Sequence, residues 1–78
     1  MAYRVDAGWD EEAGVWVATS DDVPGLCAEA ARLEALIEVV VELVPALLAA
    51  NGIAAADSSG EVPIRVVAER MAVAHRAA

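Results

Sequence analysis

The chain has no Phe, and no Lys appears anywhere in its 78 residues; it carries one Tyr, one His and one Cys. With a single cysteine no internal disulfide can form, which fits a reducing cytoplasm. Cys27 lies in an apolar stretch with no histidine nearby in sequence, so a buried, inert thiol is expected there. His75 stands alone near the end of the chain and reads as an exposed tail residue. No spacing of Cys, His, Asp or Glu reads as a metal-ligand cluster. No Gly-rich phosphate loop is present, and Ser20, Ser58 and Ser59 fit turn chemistry instead of a nucleophile motif. No cofactor is expected.

Basic residues are scarce as well. Five Lys and Arg face 13 Asp and Glu, for a net charge of -8. Such a surface repels phosphates, so direct nucleic-acid binding by this chain alone is disfavoured. A long uninterrupted apolar run is also missing: Glu38, Glu42 and Pro45 break the best candidate, and no membrane span is expected. Met1-Ala2-Tyr3-Arg4 leads straight into an alternating segment instead of the apolar core of a secretory signal. A cytoplasmic location follows as the expectation.

What is abundant is aliphatic side chain. The chain is 59% hydrophobic, high for a domain with room for one core, whose burial is marginal for a monomer. That excess points to an oligomer, a dimer or higher. The competing explanation is a compositional bias toward Ala and Val, which the missing Lys and Phe also fit.

The segment from Trp9 to Leu26 is the most informative. Tyr3 to Trp9 alternates, with Tyr3, Val5, Ala7 and Trp9 on one face and Arg4, Asp6 and Gly8 on the other. Gly14 to Ser20 alternates again, Val15, Val17 and Thr19 against Trp16 and Ala18. Asp10-Glu11-Glu12-Ala13-Gly14 between them is short enough for a hairpin loop, with Gly14 able to take positive φ. Asp21-Asp22-Val23-Pro24-Gly25 must then turn the chain once more. A short strand follows, so the first part reads as an antiparallel meander.

The second strong element is a helix. Leu33, Leu36, Ile37, Val40, Val44, Leu47 and Leu48 form an apolar stripe at helical spacing. Glu34, Glu38 and Glu42 run down another face at i,i+4 spacing with no basic residue to pair them, at a cost of roughly 0.2–0.5 kcal/mol per like-charge pair. Arg32 offers a poor N-cap. Pro45 predicts a kink or a break, and Asn51-Gly52 a left-handed stop. Val39, Val41 and Leu43 lie off the main stripe, as either a subunit or partner contact or the margin of a broad apolar face. Residues 53–61 read as a flexible loop. Val62 to Ala68 is strand-like, and residues 69–78 either extend that strand or form a frayed helical tail.

The ordered segments YRVDAGWDEE, GVWVATS, DDVPGLCAEA and LEALIEVVVELVPALL resemble the HicB-like antitoxins and their short solo relatives over roughly Tyr3 to Ala68. The resemblance implies an α+β fold, a truncated RNase H-like βββαβ unit, as a single HicB-like domain over residues 1–78. A right-handed crossover from strand to helix to parallel strand places the last strand beside the first, in the order 3-2-1-4.

The same resemblance implies a non-enzymatic protein-interaction module of a toxin-antitoxin system, binding a small basic RNase toxin or acting as a solitary oligomeric relative. Longer members carry a DNA-binding segment for which the 78 residues leave no room, so operator binding is not carried over. Electrostatic steering toward a basic partner would use Glu34, Glu38 and Glu42, with Asp10, Glu11 and Glu12 as alternatives. Trp16, Val39, Val41 and Leu43 are the candidate oligomer contacts, because exposed sheet edges and faces recruit further chains. Two alternatives stand beside this reading. One is a metal-dependent RNase H-like nuclease remnant using Asp6, Glu34 or Glu38, and Glu69. The other is an orphan structural dimer. Asp21 and Asp22, or the acidic turn, could hold calcium weakly, although they lack EF-hand spacing and a solvated turn accounts for them.

Overall fold

The alternation that begins at Tyr3 becomes strand β1 (Tyr3–Asp10) in a computed structural model that describes residues 2–53 and 60–77. A hairpin leads to β2 (Val15–Thr19), the Pro-Gly corner to β3 (Cys27–Ala30), and then come helix α1 (Leu33–Ala50) and β4 (Ile64–Glu69). The sheet order is β3-β2-β1-β4, with β4 parallel to β1 and the other neighbours antiparallel. This is the expected α+β arrangement, a partial RNase H-like topology.

Register fixes which residues meet the helix. Ala7 sits opposite Ala18, Trp9 opposite Trp16, and Ala18 opposite Ala28. Across the parallel pair, Val5 neighbours Val66. These residues make the inner face, and α1 packs over its β2–β3 side. Val5, Ala7, Ala18, Val23, Leu26, Leu36, Val40, Val44 and Leu48 are buried together as the core. Burying one aliphatic side chain of this size fully contributes about 1.5–3 kcal/mol.

The buried helix residues Leu36, Val40, Val44 and Leu48 form one i,i+4 row, flanked by the half-buried Leu33 and Leu47. Ile37, expected in the stripe, instead lies exposed at its margin. The reason is geometric: a helix resting on short strands buries a narrow row, and Ile37 falls in the neighbouring row with Val41. Pro45 does not break the helix, which runs on to Ala50. Both Pro45 and Val41 are exposed. The carbonyl left without an amide partner is therefore open to water.

The helix ends behave as their residues dictate. Arg32 is the N-cap in extended geometry and provides no side-chain hydrogen bond to the first turn. At the other end Gly52 takes φ 69°. Its amide donates to the Ala49 carbonyl (3.1 Å), and the Ile53 amide donates to that of Leu48 (2.9 Å), the paired bonds of a Schellman stop. The Asn51 side-chain amide donates to the Leu47 and Pro24 carbonyls, fastening the helix end to the corner before β3. Gly25 in that corner has φ 83°, where a side chain would be strained.

Cys27 corrects an expectation. It opens β3 opposite Thr19 and is exposed. Because alternate residues face opposite sides, placing Leu26 and Ala28 inward turns Cys27 outward. The loop expected over 53–61 falls mostly outside the described residues; Ile53 packs against the core. Among the described residues beyond Glu69 there is neither more regular strand nor a helix, and Arg70 to Ala77 is exposed throughout. The molecule measures 59 × 22 × 19 Å.

Candidate partner-binding surfaces

The acidic turn is built by its own carboxylates. Asp10 Oδ1 accepts from the amides of Glu12 and Ala13, both at 3.1 Å, and Gly14 supplies the positive φ of 67° that re-enters the sheet. Glu11 accepts a 2.6 Å hydrogen bond from the Trp9 indole N–H. Trp9 in turn meets Trp16 edge-on, centroids 5.6 Å apart at 65°, and carries the Arg70 guanidinium 4.0 Å above its ring. Trp16 is thus a half-buried member of the inner face, packed against the core. Sequence reasoning missed Arg70, since only the parallel register of β4 brings it to Trp9.

Because β3 runs antiparallel to β2, the start of α1 lies at the same end of the sheet as this turn. Asp10, Glu11, Glu12 and Glu34 therefore share one acidic end. Glu38 and Glu42 continue down the outside of α1, and all six are exposed. Glu34 has a distant companion in Arg32, 3.9 Å away, with both groups so exposed that the pair contributes little. Glu38 and Glu42 have no ion-pair partner among the described residues. Val39, Val41 and Leu43 stand beside them, exposed, and Ile37 joins the set; Val41 is 55% accessible. On the helical wheel Ile37 and Val41 lie on one side of the glutamate row and Val39 and Leu43 on the other. The outside of α1 is accordingly an acidic ridge between two apolar margins.

The other layer presents the outer sheet face, where Asp6, Gly8, Val17, Thr19, Val67 and Glu69 line an open groove that extends to Arg70 and Met71. Asp6 is held by Arg4 Nε at 2.9 Å. Asp6 and Glu69 thus belong to the outer face, while Glu34 and Glu38 lie on the helix behind the sheet. The carboxylates required for a two-metal nuclease are not brought together by this fold. Among the described residues no three of His, Cys, Asp and Glu converge as metal ligands. Asp22 has a structural task, since its Oδ2 accepts from the Arg4 amide at 2.8 Å. Among the described residues no helix is long and apolar enough to cross a membrane.

Comparison with known proteins agrees with this architecture. No curated protein matches the chain. The crystal structure of the hypothetical protein TTHA1013 from the extremely thermophilic bacterium Thermus thermophilus is similar over 97% of this chain and 100% of that one. The two are 45% identical, with a TM-score of 0.72. The family described as a domain of unknown function, DUF1902, matches residues 2–75, and the chain belongs to that family.

Proposed function

We propose that the chain is a non-enzymatic protein-interaction module of the HicB-like antitoxin type, whose acidic helix ridge grips a small basic protein of the RNase-toxin class. The observation that carries this reading is the outside of α1, where Glu38 and Glu42, without an ion-pair partner among the described residues, stand among exposed Ile37, Val39, Val41 and Leu43. A solvated helix flank keeps its charges but has little reason to hold four large aliphatics beside them. Charge at such a surface steers a cationic partner, and the apolar margins provide area to bury once it has docked. The carboxylates of Asp10, Glu11 and Glu12 extend the negative field at one end. The partial RNase H-like topology shared with HicB-like antitoxins supports the reading, as does the separation of Asp6 and Glu69 from Glu34 and Glu38 by the thickness of the sheet.

The test is to look for a basic, toxin-like reading frame adjacent to the gene, whose absence counts against the reading, and to co-express its product with the chain. A stable complex and relief of growth arrest are expected, both lost when Glu38→Arg and Glu42→Arg are combined. Failure to bind that product, or binding indifferent to the double reversal, overturns the assignment of the ridge.

A further inference from the structure

We propose that β4 pairs edge to edge with β4 of a second copy, antiparallel about a two-fold axis at Val67, so that Arg65 of each copy faces Glu69 of the other. Among the described residues the sheet order leaves one side of β4 without a neighbouring strand, and such an edge is a template for another chain. Arg65 and Glu69 are both exposed, and neither has an ion-pair partner among the described residues. Arg65 is worse than unpartnered: the parallel register sets it beside Arg4, whose guanidinium is committed to Asp6. A like charge directly alongside is unfavourable, and a carboxylate from outside relieves it.

The self-complementarity is specific to a second copy. With the axis at Val67, two Arg65–Glu69 pairs form on the outer face and the exposed Val67 side chains cover each other. Moving the axis to Glu69 sets like charges opposite instead. The segment that follows, Arg70 to Ala77, carries Met71 at 88% and Val73 at 75% exposure. In this pairing it runs along the partner's Pro63 and the partner's Val62, which gives those apolar side chains a surface. Charge agrees: Arg65, Arg70, His75 and Arg76 gather in a stretch whose one acid is Glu69, whereas the rest of the chain is strongly acidic. Two-fold pairing of this kind is isologous and closes at the dimer. Because β4 is at the far edge from β3, over which α1 packs, the dimer leaves the helix ridge free and stands independently of the partner proposed above.

The experiment is sedimentation equilibrium on the full chain and on two surface variants, Arg65→Glu and Glu69→Arg. The wild type is expected to be a dimer at micromolar concentration, with each variant dissociating about tenfold more readily as both cross-pairs turn from attractive to repulsive. An equimolar mixture of the two variants is expected to regain wild-type affinity. One chain then carries a carboxylate at both positions and the other a guanidinium at both, so each cross-pair is attractive again. A monomeric wild type overturns the proposal. So do variants that dimerise as tightly as the wild type, or a mixture no tighter than its components.

Discussion

The Ser20 hydroxyl donates to the Arg4 backbone carbonyl at 2.5 Å, just where the β1–β2 ladder runs out. The last ladder pair is Asp6 with Thr19, so Arg4 has no strand residue opposite it on that side. Asp22 completes the substitution by accepting from the Arg4 amide. The same Ser20 oxygen also accepts from the amides of Asp22 and Val23, which locks the turn. Two side chains thereby satisfy a backbone position that would otherwise lose both of its hydrogen bonds.

Ser20→Ala is expected to destabilise the fold by about 1–2 kcal/mol, since it removes a hydroxyl that donates one hydrogen bond and accepts two. Urea unfolding followed by tryptophan fluorescence measures this. The loss should appear as a lower midpoint with an unchanged slope.

The helix start can be improved. Arg32 already has cap geometry but contributes no cap hydrogen bond. Arg32→Ser is expected to stabilise by roughly 0.5–2 kcal/mol, read as a higher thermal midpoint.

Pro45→Ala is expected to restore the missing amide and raise stability by about 1–3 kcal/mol, because the helix is already continuous through this position and no backbone rearrangement is needed. No gain in midpoint would contradict this.

Core and ridge should separate cleanly. Leu36, fully buried, should cost about 2–5 kcal/mol when changed to Ala. Val41→Ala, at an exposed position, should stay within about 0.5 kcal/mol in the isolated chain. Chemical denaturation of the two variants distinguishes them.

Arg70→Ala is expected to remove a stacking contribution of about 0.5–1 kcal/mol and to change tryptophan emission, because the guanidinium covers the Trp9 ring. Arg70→Lys should recover part of the stability with a different spectrum.

Strand pattern and topology were legible because alternation in Tyr3–Asp10 and Val15–Thr19 has one consistent inner face, and handedness leaves few ways to connect α1 to β4. The acidic ridge was legible from the spacing of Glu34, Glu38 and Glu42. The exposure of Cys27 was not, because a one-residue difference in where β3 begins reverses the face of every side chain on it. Ile37 lies outside the buried row, and this was not legible either, because periodicity gives the direction of a stripe but not its width, which depends on the strands beneath. Asp10, Asp22 and Ser20 read as turn residues, but their individual hydrogen-bond partners are not legible, for a different reason. Each is set by where a ladder ends or a turn closes, and none is written in local composition.

The protein-binding surface proposed on the outside of α1 is open to a direct measurement. That measurement is amide and methyl NMR of the chain titrated with a small basic protein of the RNase-toxin class. Perturbations concentrated on Glu34 to Leu43 and fading toward β4 are expected. Perturbations confined to the outer sheet face around Asp6 and Glu69, especially if they require Mg²⁺, would contradict it.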